Sequence, residues 1–328
     1  MKTQSIVSGD YQMVSIDDIK QARDRIKEYI KMTPLRASPF LSKLTGASVF
    51  LKLESEQVTG SFKVRGALNR LMTLSKEDAE KGVITASTGN HGLGVAFAAQ
   101  KLGVRAKVVF PIGASVVKRA RMIESAVEVI QDVGYEDIEP YARKLAEERG
   151  FTYVSPYNDP EIVAGAGTSG LEIIEQLDAI DAVLVPIGGG GLISGIATVI
   201  KAMKPETQVI GVQSEVSPEV HDSWVAGHWV DAEESDSLAQ GLMGGVESDS
   251  ITLSIINDHV DRIILVSEDS IKRAMRFLYE QESLLIEGAG AVTTAALMEN
   301  KSEFVGKKVV LTLSGGNISK DDLLSQIS

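Results

Sequence analysis

Lys63 stands in the stretch Thr59-Gly60-Ser61-Phe62-Lys63-Val64-Arg65-Gly66-Ala67, where a Gly-Ser turn runs into a helical pattern with Val64, Ala67, Leu68 and Leu71 on one face. Ser61 is the expected N-cap. An ammonium at a helix start faces the positive end of the macrodipole and is disfavoured. Burial acts in the same direction, and both effects lower the amine's pKa and free its lone pair. Such an amine is what a Schiff base with an aldehyde cofactor requires. A solvated surface lysine is the bland alternative for this stretch alone, so the other motifs have to decide.

The apolar run 182–187 leads into Gly188, Gly189, Gly190, Gly191 and Leu192, followed by a helical pattern to Met203. Glycines let backbone N–H groups converge at a helix N-terminus, which is a phosphate cradle. A dinucleotide fingerprint needs glycine at its sixth place, and here Ile193 or Ser194 falls there. The next strand also ends in Gln213, where a ribose-binding carboxylate is expected. A Walker loop fails because Gly195 is followed by Ile196. Tight strand–helix packing is the alternative to a small phosphorylated cofactor.

Ser87-Thr88-Gly89-Asn90-His91 forms a second strand-to-helix turn, able to receive a carboxylate on backbone amides and hydroxyls. Asn90 has a donor for an oxygen on a planar ring, whereas His91 alone reads as structural rather than catalytic. His221, His228 and His259 have no ligand-like spacing, so no metal site is assigned. Ser314-Gly315-Gly316-Asn317 closes the last apolar strand, at the end where parallel sheets bind ligands.

The elements that must position these motifs alternate. Strands are expected at 49–53, 83–86, 107–110, 127–131, 152–154, 182–187, 208–213, 262–266 and 308–313. Helices are expected after Ser15 and at 115–125, 135–149, 192–203, 268–281 and 287–298, besides those following Lys63 and His91. This alternation implies parallel pairing and an α/β class. Apolar strands without polar alternation are those of a sheet covered on both faces. Residues 217–258 read as irregular connection. Turn-rich stretches at 75–82 and 155–160 suggest a chain shared between two lobes, 1–77 with 155–328 as the large cofactor-binding domain and 78–154 as the small one.

The chain has 328 residues, 44% hydrophobic and 24% charged, enough for a substantial core. Its net charge of -12 would repel nucleic acid phosphates. The absence of cysteine removes disulfides and thiol chemistry and fits a reducing cytoplasm. Residues 1–10 are polar, with no secretory h-region. The uncharged run 182–200 has the length of a membrane span, but Pro186 and four glycines argue for strand, loop and helix instead.

Together, the lysine stretch, the two turns and the four glycines resemble, in order and over essentially the whole chain, the fold-type-II pyridoxal-phosphate enzymes, most closely the threonine/serine dehydratase and serine racemase family. The resemblance implies a two-lobed fold of mostly parallel twisted sheets flanked by helices, and a pyridoxal 5'-phosphate cofactor held as a Schiff base by Lys63. It implies that Phe62 flanks the ring, Asn90 meets the ring hydroxyl, Gly188 to Leu192 hold the phosphate and Ser314 faces the pyridine nitrogen. Gly241 and Glu287 lie in segments the family places near the ring, and Ser87 to His91 would receive the substrate carboxylate. The implied reaction is β-elimination of a β-hydroxy amino acid such as L-threonine or L-serine to a 2-oxo acid and ammonia, by a homo-oligomer. Thr88 stands where racemases of the family carry a serine acid/base, so serine or aspartate racemisation, or 3-hydroxyaspartate dehydration, is the alternative. Gln213 replaces the first residue aligned with the family's divalent-cation site, with Glu215 and Glu219 nearby, and Gln240 replaces a common aspartate. No C-terminal regulatory domain is expected so soon after Ser314.

Overall fold

A computed structural model describes residues 14–87, 89–112, 127–134 and 138–328. Thr88, the helix expected at 115–125, and residues 1–10 lie outside the described residues. The described strands are β1 (Leu35–Ala37), β2 (Ser48–Leu53), β3 (Val83–Ala86), β4 (Ala106–Val109), β5 (Glu128–Ile130), β6 (Thr152–Tyr153), β7 (Ala182–Pro186), β8 (Gln208–Ser214), β9 (Arg262–Val266) and β10 (Lys308–Leu313). The first helices are α1 (Ile16–Ile26), α2 (Pro39–Thr45), α3 (Lys63–Met72), α4 (Lys76–Lys81), α5 (Asn90–Leu102) and α6 (Ile138–Arg149). There follow α7 (Pro160–Gln176), α8 (Gly191–Met203), α9 (Glu219–Ala226), α10 (Ile251–His259), α11 (Glu268–Glu282), α12 (Gly288–Glu299) and α13 (Lys320–Ile327).

The strands form two sheets, in the orders β1-β2-β10-β7-β8-β9 and β5-β4-β3-β6. Among the described strands only β1, against β2, pairs antiparallel. The class is therefore α/β with mostly parallel sheets flanked by helices. β7 and β10 are buried almost throughout, as their unbroken apolar sequences require. The uncharged run 182–200 divides into β7, the glycine loop and α8. No helix among the described residues is long and apolar enough to cross a membrane.

The sequence pattern leaves β1, α2 and α13 unannounced, and three further departures each have a physical reason. The 17-residue α7 has no counterpart in the pattern, because Ala164, Gly165, Ala166 and Gly167 bury a helix without an amphipathic period. Its start is nevertheless conventional, with Pro160 in the first turn and Asp159 accepting from the N–H groups of Glu161 and Ile162. The region read as irregular contains α9 and α10, whose faces are short. The turn-rich stretch 75–82 holds the exposed α4, capped by Ser75.

Helix α3 is seated by glycines. A Cβ on Gly165 would lie 2.7 Å from Gly66 Cα, and one on Gly195 2.5 Å from Gly167 N, so α3, α7 and α8 touch backbone to backbone. Arg65, fully buried, then locks the helix in place. Its Nε and Nη2 donate to Glu54 at 2.8 and 3.0 Å, and its Nη1 and Nη2 to Glu172 at 2.6 and 2.9 Å. Lys52 Nζ donates to the same Glu172 at 2.6 Å. Burial alone would raise the Glu54 carboxyl, but Arg65 above all, then Lys52, hold it below its ordinary value. Two cations and two anions balance. Removing one partner of a buried ion pair strands the others. Glu172→Ala is therefore expected to cost about 3–5 kcal/mol in chemical denaturation, and a loss below about 1 kcal/mol would deny the cluster that role.

Candidate active site

Lys63 opens α3 directly. The residue before it, Phe62, occupies the cap position without a side-chain bond. Ser61 is therefore not the cap that the pattern implied: its backbone bridges to Gly315, one residue too early to serve the helix. Lys63 as a whole is half-buried, while desolvation of its amine lowers the pKa to about 8. Nζ donates to the Pro156 carbonyl oxygen at 2.9 Å and lies 5.2 Å from the centre of the Phe62 ring. Burial is the cause of the shift, and among the described residues no carboxylate pulls the amine back up.

Pro156 and Tyr157 join Lys63 to the glycine loop. The ring of Tyr157 lies where a Cβ on Gly189 would be, 2.3 Å from its nearest atoms. On the other side, Thr252 Oγ1 donates to the Gly189 carbonyl at 2.7 Å. Gly190 has φ 85°, and a Cβ there would meet Thr252 at 2.9 Å and Ile256 at 2.8 Å. Helix α8 follows with no side-chain cap, leaving its N-terminal dipole to an anion. Leu242, rather than Gly241, lies against Gly188.

Ser314 and Asn90 close the site. The Ser314 carbonyl accepts from Phe62 N at 3.1 Å, and its hydroxyl makes only a long 3.4 Å contact to the Ala289 carbonyl. Next to it, a Cβ on Gly315 would lie 2.2 Å from Glu287 Oε1, 3.1 Å from Asn90 Nδ2 and 3.2 Å from Ser61 Cβ. Asn90 Nδ2 donates to Glu287 Oε1 at 2.6 Å. A Cβ on Gly94 would lie 3.1 Å from the Lys63 carbonyl carbon, which brings the start of α5 onto α3. Thus Phe62, Lys63, Asn90, Glu287, Ser314 and the glycine loop converge. Ser87 Oγ accepts from Gly89 N at 3.1 Å and Gly92 N at 2.9 Å, so these two amides already have a partner within the chain.

His91 is buried, and its Nε2 lies 3.2 Å from the Val154 carbonyl oxygen. Burial, helped by nearby Lys63, pushes its pKa down to about 3, which keeps the ring neutral. Glu219 accepts from Val246 N at 2.7 Å, and Glu234 from Gly244 N at 3.1 Å and from Gly245 N at 3.3 Å. The acidic residues beyond β8 thus staple the loop at 244–246. Gln213 accepts from His221 N at 3.0 Å. Sequence reasoning assigns no role to Pro156, Tyr157, Thr252 or Asn317. Of these only Asn317, adjacent to the Ser-Gly-Gly turn, carries a local signal.

This geometry sets a desolvated amine and an uncapped, glycine-lined helix start around one cleft of an α/β fold. The chain matches the family of pyridoxal-phosphate dependent enzymes over residues 26–315, and it belongs to that family. It is 42% identical to an L-threonine ammonia-lyase of Thermotoga maritima, over 93% of this chain and 76% of that protein. The crystal structure of a T.th. threonine deaminase aligns at TM-score 0.87 and 38% identity, covering 93% of this chain and 99% of that one. Maize serine racemase aligns at TM-score 0.91 and 32% identity, covering 96% of this chain and 97% of that one. The cofactor of the present chain is pyridoxal phosphate.

The residues present fit that group. The loop at 188–191 is closed to side chains and rich in backbone donors. Buried Thr59 Oγ1, Ser61 Oγ and His91 Nδ1 lack hydrogen-bond partners beside Lys63, as polar atoms do where a polar ligand completes a site.

The amine titrates near 10.5 in an unfolded chain and near 8 in the fold. Between these values the unfolded chain holds more protons, so the stability of coenzyme-free protein rises with pH across this window. Below it both states are charged and the burial cost stands in full. Lys63→Met should flatten the rise in a pH series of denaturation midpoints. A slope unchanged by that substitution would place the titrating group elsewhere.

Proposed function

We propose that this chain catalyses β-elimination of a β-hydroxy amino acid, L-threonine or L-serine, to a 2-oxo acid and ammonia. The observation that carries the reading is the desolvated Lys63 amine, bracketed by the glycine loop through Pro156–Tyr157 and by Ser314 through Phe62 N. The threonine ammonia-lyase and threonine deaminase among its relatives support the substrate class.

Bound pyridoxal phosphate supplies an aldehyde for the amino group and a ring that withdraws the electron pair left on Cα. The roles assigned to this chain are positional and proton-transferring. Backbone N–H groups of Gly188 to Leu192, with the α8 dipole, hold the phosphate. Phe62 flanks the ring and Asn90 donates to its oxygen. Glu287 and the segment around Gly241 border it. The Ser87–His91 turn receives the substrate carboxylate, and the Thr88 hydroxyl is the candidate second acid/base. Lys63, whose pKa near 8 leaves more free amine near neutral pH than an ordinary lysine has, would hold the coenzyme aldehyde and, with substrate bound, would take the Cα proton as base. Ser314 offers a hydroxyl rather than a carboxylate to the ring nitrogen, a weaker hold on a proton there. That suits prompt departure of the β-hydroxyl over a long-lived carbanion. The substrate loses water, and the released enamine hydrolyses to 2-oxo acid and ammonia.

We further propose a division into lobes 1–77 with 155–328 and 78–154, supported by the separate sheets, and a cytoplasmic homo-oligomer. The decisive experiment is 2-oxo acid release from L-threonine, L-serine and 3-hydroxyaspartate, with chiral analysis of residual serine. Wild type should release 2-oxo acid faster than it forms D-serine, and Lys63→Ala should lose turnover by at least about a thousandfold. D-serine outpacing pyruvate would replace elimination by racemisation. Ser314→Asp is expected to slow elimination while the protein stays folded, and an unchanged kcat would remove Ser314 from the chemistry.

A further inference from the structure

We propose that Asn317 is a positioning residue that fixes which edge of the Asn90 amide faces the cofactor. The proposal rests on the reading of Asn90 as the donor to the ring oxygen. Asn317 ends the Ser-Gly-Gly-Asn turn after β10. Its Nδ2 donates to Asn90 Oδ1 at 2.7 Å and to the Thr59 carbonyl oxygen at 2.8 Å. Asn90 in turn donates from Nδ2 to Glu287 Oε1 at 2.6 Å.

The polarity of this chain is dictated by its ends. A carboxylate and a peptide carbonyl only accept, so the Asn90 nitrogen must face Glu287 and the Asn317 nitrogen must face Thr59. The Asn90 oxygen is then the group left for Asn317, and it needs a donor. Flipping either amide would set oxygen against oxygen. With its oxygen and one N–H engaged, Asn90 has a single further N–H, aimed by its neighbours rather than by chance.

The backbone is shaped for this contact. Gly60 has φ 74°, and a Cβ there would lie 2.4 Å from Asn317 Oδ1. Gly316 N donates to the Gly60 carbonyl at 2.9 Å. Asn317 therefore sits where the turn before Lys63, the end of β10 and the first residue of α5 meet. A residue that touches Asn90 rather than the ring itself acts through orientation.

The test compares holoenzymes of wild type, Asn90→Ala, Asn317→Ala, Asn317→Asp and the double variant Asn90→Ala/Asn317→Ala. The readouts are the visible absorption maximum and the rate of pyridoxal phosphate release on dilution. Thermal unfolding serves as the check on folding, and Asn317→Ser takes the place of any Asn317 variant that does not fold. Each Asn317 variant is expected to shift the absorption and to speed release by about tenfold, the worth of one well-placed hydrogen bond. Asn90→Ala should do the same, and the double variant should be no worse than Asn90→Ala, since the two residues act as a unit. Additive losses would overturn the proposal, assigning Asn317 to the Thr59 turn alone. An altered Asn90→Ala beside wild-type Asn317 variants would overturn the proposal and leave the reading of Asn90 standing. An Asn90→Ala indistinguishable from wild type would overturn that reading and the proposal with it.

Discussion

The structure depends on a buried guanidinium. Arg65 follows Lys63 by two residues and lies on the same first turn of α3, where it is held in two forks by Glu54 and Glu172. Bidentate pairs fix direction as well as distance. Because Glu54 follows β2 and Glu172 belongs to α7, the start of α3 cannot rotate without breaking contacts on two sides. The pose of Lys63 is in this sense an electrostatic decision made one half-turn away. Exchange of Arg65 for lysine would keep the charge and lose the fork.

Two lysines in this chain show what partners do to a buried amine. Lys52 is fully buried and donates to Glu172 at 2.6 Å, the Thr33 carbonyl at 2.8 Å and Gln176 at 3.0 Å. Desolvation lowers its pKa, while Glu54 and Glu172 pull it back up. It is a structural cation. Lys63 has a carbonyl for company and a neutral histidine behind it, and only desolvation acts on it. The fold therefore places these buried carboxylates on Arg65 and Lys52 and withholds them from the amine proposed to react. A carboxylate beside Lys63 would hold the proton and silence the nucleophile.

Much of this is legible in the sequence because the chemistry is local there. The four glycines and the Ser-Gly-Gly turn each lie at a strand end, the Lys63 stretch runs into a helix start, and β3, β7, β8, β9 and β10 fall within about a residue of the apolar runs that announce them. What stays hidden depends on contacts between distant segments. Tyr157 is an ordinary tyrosine until its ring meets Gly189. Ser61 looks like a helix cap until its backbone pairs with Gly315. Helix α7 lacks a hydrophobic stripe because both of its sides are buried, so periodicity has nothing to register. Its Asp159-Pro160 start signal is present in the sequence, but the same residues suit a lobe crossing equally well.

The glycines of α7 leave the support of the site no room for side chains at the helix contacts. Glycine inside a helix costs about 0.5–1 kcal/mol relative to alanine, and Gly165, Gly167 and Gly170 all lie within one helix. Their presence is accounted for by contact rather than flexibility, since Cβ atoms at Gly165 and Gly167 would fall within 3.0 Å of neighbouring atoms. Close approach lets α3 and α8 share one helix as a common wall. Those two helices begin at Lys63 and at Gly191, the residues proposed as nucleophile and as part of the anion cradle. Their separation is thus set by the thickness of a helix stripped of side chains, a dimension that thermal motion of rotamers cannot blur. A wall of leucines would bury more apolar surface, but would move the starts of α3 and α8 apart by the width of those side chains. Stability of the helix is given up, and the starts of α3 and α8 are held at a fixed spacing.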